Sequence, residues 1–218
     1  MRGRGEEGMS DTGAEGAAQT TPLDPEDRAR ANLYGVIGRL FYAPADPNLL
    51  AEISRGEQGG EGQEHGNGLV AAWRGVQDAC RSAYPAVVRQ EYDSLFIGVG
   101  KSQVSPYLSG YAEPMAPDRY LVRLRDQLSA FGLGRRESVF EVEDHISGAC
   151  DVMRWLIENG RSVADQKKFF ETFAYPGVLP LCVAVQNAPS ASFYKQVAAL
   201  TWSFFEIEKT AFEMAGME

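Results

Sequence analysis

The chain has 218 residues, a formal net charge of −9 and 23% charged residues. A chain of this length buries enough apolar surface for one self-sufficient domain. Its acidic balance repels phosphate backbones and no basic stripe offsets it, so composition argues against a nucleic-acid partner. The sequence contains no run of about 18 apolar residues and therefore predicts no membrane span.

Residues 1–22 contain no Val, Ile, Leu, Phe, Trp or Tyr. We expect them to form a disordered tail, because such a segment cannot bury enough surface to offset its ordering entropy. The tail has no apolar core typical of a secretory signal, and Met9 is an alternative start to Met1. The predicted domain covers 23–218 and includes a glycine-rich surface loop at 56–68, which contains His65.

Helical periodicity dominates the rest of the chain. Asp24-Pro25 and Asp46-Pro47 are N-cap and first-turn pairs, and each predicts the start of a helix. Apolar stripes predict further helices, listed here by approximate range: 69–80, 85–96, 117–131, 143–159, 162–173 and 193–207. The run VLPLCVAV at 178–185 has β-branched residues, but Pro180 lies inside it, and we interpret it as a buried helix. The predicted fold class is all-α, a compact bundle of about eight to ten helices.

One long segment, 98–117, lacks this periodicity and is rich in turn formers. A loop of this length within a compact domain is usually functional or disordered.

Cysteine spacing argues against disulfides and zinc sites. Cys80, Cys150 and Cys182 stand far apart, and the chain has no C-x-x-C pair. We expect three buried free thiols, in a reducing compartment.

Catalytic motifs are missing. The sequence has no phosphate-binding loop, no H-E-x-x-H and no G-x-S-x-G. With only two histidines, His65 and His145, the two Glu-x-x-His pairs of a di-iron bundle cannot be built. Cys150 and His145 are five residues apart, a spacing that turns their side chains away from each other on a helix. We therefore expect a protein that is not an enzyme.

Two segments stand out. The first is Tyr92-Asp93-Ser94-Leu95-Phe96, and the second is Glu141-Val142-Glu143-Asp144-His145 at the start of a predicted helix. From the residues alone, simple structural roles remain open: core packing for the aromatic and leucine side chains, an N-cap for Asp144, and a first-turn imidazole beside a carboxylate for His145.

These segments resemble the TorD/DmsD/NarJ family of redox-enzyme maturation chaperones. The likeness spans about 91–157. Its pieces, in chain order, are Tyr92-x-x-Leu95-Phe96, Gly98-Val99-Gly100, Pro106-x-x-Ser109-x-Tyr111, and Glu141-Val142-x-Asp144-His145. Val99 and Val142 stand where members of the family often have proline.

The resemblance implies a cytoplasmic, all-helical binding protein without a cofactor of its own, either a monomer or a domain-swapped dimer. Such chaperones bind the twin-arginine signal peptide and the apo form of a molybdenum-enzyme catalytic subunit, and delay export until the cofactor is inserted. The motif implies that the signal peptide contacts Tyr92, Leu95, Phe96, Glu141, Asp144 and His145. Pro106, Ser109 and Tyr111 would belong to a loop near that site.

Physical chemistry adds one condition. Exposed ion pairs contribute only about 0.2–1 kcal/mol each, whereas micromolar binding needs about −8.2 kcal/mol. Burial of the apolar part of the peptide must therefore supply most of the affinity, which predicts an apolar groove edged by carboxylates.

Two alternatives remain open at this point. Asp144 and His145 could serve a metal- or cofactor-handling protein. The chain could also be a partner-binding bundle without a peptide site. In that case we expect the 98–117 loop to be disordered and far from Asp144.

Overall fold

The computed structural model of the protein describes residues 23–56, 67–98, 102–134 and 143–216. Within these ranges the chain forms ten α-helical segments and no β-strand, which confirms the predicted all-α fold. The segments are α1 (Pro25–Tyr42), α2 (Pro47–Arg55), α3 (Asn67–Ser82), α4 (Pro85–Tyr92), α5 (Ser109–Ala112), α6 (Pro117–Ala130), α7 (Ile146–Glu158), α8 (Val163–Phe169), α9 (Tyr175–Asn187) and α10 (Phe193–Ala215). The predicted tail at 1–22 and most of the glycine-rich loop, including His65, lie outside the described residues.

The first two helices begin at the predicted Asp-Pro pairs. The Asp24 carboxylate accepts a hydrogen bond from the Asp27 amide at 2.8 Å. The Asp46 carboxylate accepts from the amides of Asn48 and Leu49 at 2.8 and 2.9 Å. In both helices proline occupies the first turn, where a missing N–H costs nothing.

The core lies between α1 and α7, and between α10 and its neighbours α3 and α9. The three cysteines are free and buried, as predicted. The last helix departs from a simple apolar stripe at its predicted end, because Ile207 is exposed whereas Glu208 is buried. Glu208 turns inward because its carboxylate accepts hydrogen bonds from Arg30 Nε at 2.7 Å and from the Tyr34 hydroxyl at 2.9 Å. Burial and the neighbouring Glu208 carboxylate raise the pKa of Tyr34, which keeps this hydroxyl protonated.

Residues 163–187 form one continuous helix, because α8 passes through a π-helical turn at Phe170–Ala174 into α9. The run 178–185 lies within it, which confirms the helix despite Pro180. Its burial is partial, because Val178, Leu181, Cys182 and Val185 are buried whereas Pro180 and Val183 are exposed. By length and composition alone, this described helix could cross a membrane. Half of its apolar window is buried inside the fold, so a core position accounts for its composition.

Candidate functional site

A π-helical turn at Asp93–Ile97 continues α4 and contains Leu95 and Phe96 of the first motif. Tyr92, Leu95 and Phe96 are all buried. The Tyr92 hydroxyl donates to the main-chain carbonyls of Phe41 and Tyr42, at 3.1 and 3.0 Å, and so anchors the turn to the end of α1. These three side chains therefore pack in the core. None of the three is among the described residues that line the two open grooves beside α4.

The loop that follows connects the two motif segments. The Val104 amide donates to the Leu95 carbonyl at 2.9 Å, and the Leu108 amide donates to the Asp144 carbonyl at 2.9 Å. Since Val104 and Leu108 are four residues apart, this part of the loop spans at most about 14 Å. The described part of the 98–117 segment is thus packed against both motifs. A partner-binding bundle without a peptide site would instead have this segment disordered and far from Asp144.

Asp144 and His145 are buried at the far end of this loop. Asp144 Oδ2 accepts a hydrogen bond from the Ser109 amide at 3.2 Å. His145 is the N-cap of α7, because its Nδ1 accepts from the Ser147 amide at 3.1 Å. Since Nδ1 is the acceptor, the neutral ring has its proton on Nε2. The N-cap role that was left open for Asp144 therefore belongs to His145, and the Asp144 carboxylate binds the Ser109 amide instead. The predicted helix start near 143 is wrong, because α7 begins at Ile146.

Of the remaining predicted residues, Pro106 lies in this loop, and Ser109 and Tyr111 lie in the short helix α5 that follows it. Pro106 and Ser109 are buried and Tyr111 is half-buried, where burial raises the pKa of its hydroxyl. The Pro106 carbonyl accepts a hydrogen bond from the Ile146 amide at 3.0 Å, a second tie between the loop and the start of α7. Glu141 lies outside the described residues.

The geometry gives no support to metal or nucleophile chemistry. In the parts of the chain that the structure describes, no group of three or more His, Cys, Asp or Glu side chains comes together as a metal ion requires. Asp144 and His145 bind different partners, the amides of Ser109 and Ser147. Burial raises the pKa of Cys80 to about 11 and that of Cys182 to about 12. Both thiols are therefore protonated at neutral pH and are poor nucleophiles.

Open grooves lie on both sides of α4. One, about 490 Å³ in volume, lies between α3, α4 and the first turn of α10, and is called the α3–α4 groove below. The other, about 760 Å³, runs along the π-helical turn and has Arg89, Asp93 and Ile97 among its lining residues. Concave surface is therefore present beside the first motif, but side chains other than the motif's buried ones line it.

The α3–α4 groove combines apolar and acidic side chains. Tyr84 and Val87, which are 77% and 58% exposed, lie on its α4 side. Asp78 and Glu91 provide its carboxylates, and no lysine or arginine is among the described residues that line it. Its lining residues are different from the residues of the two motifs.

Glu91 holds the end of this groove together. It is only 8% exposed, and its carboxylate accepts hydrogen bonds from the amides of Ser192, Phe193 and Tyr194 at 2.8, 3.0 and 2.8 Å. It thereby caps α10 from another helix, since the Ser192 side chain makes no cap. Sequence reasoning missed this contact because about a hundred residues separate the partners. No local signal marks this contact, since α7 and α8 also begin without an Asp-Pro pair.

The family match agrees with the resemblance of the motifs. Residues 63–176, just over half of the chain, match the nitrate reductase delta subunit family. An uncharacterized protein of Haemophilus influenzae is 29% identical over 115 residues, which cover 53% of this chain and 56% of that protein. The chain thus matches little more than half the length of this relative. The crystal structure of a proposed redox enzyme maturation protein from Archaeoglobus fulgidus aligns with a TM-score of 0.49 at 19% identity, over 83% of this chain and 93% of that one.

Proposed function

The chain belongs to the nitrate reductase delta subunit family, and we propose that it is a maturation chaperone for the catalytic subunit of a molybdenum-containing oxidoreductase. In this proposal it acts in the cytoplasm as a binding protein and catalyses no reaction. It binds the twin-arginine signal peptide and the apo form of the subunit, and delays export until the cofactor is inserted. Family membership is the observation that carries the proposal, and it agrees with the resemblance of the motifs.

Charge supports a cationic partner. The chain has a net charge of −9, and a twin-arginine leader presents two guanidinium groups followed by an apolar stretch. Long-range attraction between opposite charges raises the rate of encounter, whereas exposed ion pairs add little to affinity. Apolar contact must supply the rest, and the grooves beside α4 expose apolar side chains such as Tyr84, Val87 and Ile97.

The buried motif residues have a positioning role in this proposal. Asp144 and His145 hold the 102–108 loop, the loop binds the Leu95 carbonyl, and Tyr92 ties the end of α4 to α1. The surface that meets the leader is therefore built on residues that do not themselves need to touch it. The resemblance of the motif assigns Glu141 to the signal-peptide contact, and the proposal keeps that role for it.

Titration calorimetry with the full chain tests the function. The probe is a synthetic peptide in which two adjacent arginines precede a leucine-rich stretch. The control peptides replace either the arginines by glutamine or the leucines by serine. We expect binding in the micromolar range, weakened at least about tenfold by either replacement, since each removes one of the two contributions. Equal binding of all three peptides, or no binding of the first, would contradict the proposal.

A second experiment addresses the whole client. The chain is co-expressed with an apo nitrate reductase catalytic subunit, with and without its leader, and the complex is isolated through a tag on the chain. We expect recovery of the subunit to fall when the leader is removed. Recovery that is absent in both cases speaks against this client.

A further inference from the structure

We propose that the α3–α4 groove is the place where the arginine pair of the leader docks. This inference rests on the proposed function, but it assigns the contact to residues outside every motif of the sequence. Asp78, Tyr84 and Val87 would make the contact, and the buried Glu91 would hold the groove in shape.

Two helices present one face each to this groove. From α3 come Gly75, Asp78, Ala79 and Ser82, and from α4 and the residue before it come Tyr84, Val87, Val88 and Glu91. Both sets follow the spacing i, i+3, i+4, i+7, which places each set on one side of its helix. Phe193, at the start of α10, closes one end of the groove. The result is a trough with a floor of small side chains and with exposed apolar side chains along the α4 edge.

Charge decides between the two grooves beside α4. The α3–α4 groove is lined by the carboxylates of Asp78 and Glu91 and by no described lysine or arginine, whereas the groove along the π-helical turn is lined by Arg89 as well as Asp93. A guanidinium group is attracted to the first, whereas in the second Arg89 offsets the attraction of Asp93. The charge complementarity between the leader and the α3–α4 groove is therefore the reason for naming the leader as its occupant.

Asp78 is available to such a partner. Its carboxylate pairs with Arg81 one helical turn away, and both side chains are largely exposed. Exposed pairs of this kind contribute little, because solvent screens them and both side chains lose rotamer freedom. An incoming arginine can therefore replace Arg81 at small cost.

Tyr84 adds an aromatic face. Its side chain is 77% exposed and stands at the α3–α4 connection beside the groove. Guanidinium groups stack favourably on tyrosine rings, and Arg does so more often than Lys. Val87, one turn further along α4, offers apolar contact to the residues that follow the arginines. Large exposed apolar side chains grouped in one concave place commonly mark an interaction site.

The burial of Glu91 and Tyr92 explains how α4 is kept in place. Glu91 is bound to the start of α10, and Tyr92 is bound to the end of α1. The two adjacent side chains fix the C-terminal end of α4, so the face with Tyr84 and Val87 is presented by a helix that is anchored at that end.

A thermodynamic cycle between groove and peptide tests the inference. The variants Asp78→Asn, Tyr84→Ser and Val87→Ser are titrated with the arginine-arginine peptide and with its glutamine-glutamine version. Matched controls are Asp126→Asn and Val122→Ser on the exposed face of α6. All five positions are exposed, so we expect the fold to tolerate the changes.

We expect Asp78→Asn and Tyr84→Ser each to weaken binding of the arginine peptide about fivefold and to leave binding of the glutamine peptide unchanged. Val87→Ser should weaken the binding of both peptides, and the α6 controls should weaken the binding of neither.

Unchanged binding of the arginine peptide to all three groove variants overturns the inference and leaves the proposed function standing. Equal losses for both peptides with Asp78→Asn and Tyr84→Ser also overturn it. Concentration-dependent dimerisation that the groove variants abolish would identify a second copy of the chain as the occupant instead. Failure of the unmodified chain to bind the arginine peptide counts against the proposed function itself.

Discussion

Replacing Glu91 by glutamine should loosen the start of α10 and with it the end of the α3–α4 groove. In the native chain Oε1 accepts from the amides of Ser192 and Tyr194, and Oε2 accepts from the amide of Phe193. Glutamine retains one acceptor oxygen and places an NH₂ group opposite one of these N–H donors. At least one hydrogen bond to a charged acceptor is lost, at about 1.5–3 kcal/mol. The interaction between the carboxylate and the positive end of the α10 dipole is lost as well, at about 0.3–1 kcal/mol.

The expected loss in the free energy of unfolding is therefore about 2–4 kcal/mol. Glu91→Ala, which removes all three acceptor contacts, should cost more than Glu91→Gln. Urea unfolding followed by circular dichroism measures both. Glu52→Gln is the matched control, because the Glu52 carboxylate forms an exposed pair with Arg39 at 3.0 Å and should matter by less than about 1 kcal/mol. A Glu91→Gln variant within about 0.5 kcal/mol of the native chain would refute the capping role.

Three further predictions concern the loop, its packing and the thiols. Asp144→Ala should destabilise the chain by about 1–3 kcal/mol and speed hydrogen exchange of the buried Ser109 amide. Asp144→Asn keeps an acceptor and should have a smaller effect on both stability and exchange. Equal effects of the two variants would argue against the hydrogen bond between Asp144 and the Ser109 amide. Gly177→Ala should lower the free energy of unfolding by about 1–3 kcal/mol, measured by thermal or urea unfolding. The reason is that the new Cβ would lie 2.7 Å from the Leu108 Cβ and 2.9 Å from the Leu108 carbonyl oxygen. Gly110→Ala is the control, because a Cβ there meets no such neighbours. Burial raises the pKa of Cys182 from 9.0 to about 12. The contribution of this thiol to the free energy of unfolding should therefore be complete below pH 9. It should fall between pH 9 and 12, by up to about 1.4 kcal/mol per pH unit, because the unfolded state loses the proton first. Urea midpoints at pH 8 and 10 should show a shallower decline for Cys182→Ala than for the native chain, and identical declines would contradict the assigned burial.

Local signals in the sequence predicted the starts of the first two helices, whereas they carry no information on contacts between distant residues. Asp24-Pro25 and Asp46-Pro47 act within one turn of chain, so their capping bonds follow from adjacent residues alone. The π-helical turn at Asp93–Ile97 has no such local mark. It turns Leu95 and Phe96 into the core, where Phe96 packs against Phe41 and Tyr194 at ring-centroid distances of 5.8 and 5.2 Å.

The Asp144-His145 pair illustrates the same limit at a helix start. Aspartate is a more favourable N-cap residue than histidine, yet His145 is the N-cap of α7 in the structure. The reason is the Ser109 amide, which is 35 residues away in the chain and 3.2 Å from Asp144 Oδ2. Competition between a local and a distant donor for one carboxylate cannot be read from the order of residues.

Amino-acid order alone predicted that this chain is helical, that its three thiols are buried, and that its motifs resemble those of the TorD/DmsD/NarJ family, because periodicity, capping and motif spacing are properties of neighbouring residues. Tertiary structure decided which side chains face solvent. Helix α4 turns Tyr92 toward the core and Tyr84 toward an open groove only because Glu91 meets the first amides of α10 and Tyr92 meets the last carbonyls of α1. Those contacts join residues about a hundred and about fifty positions apart, and their free energy exists only once the helices have packed.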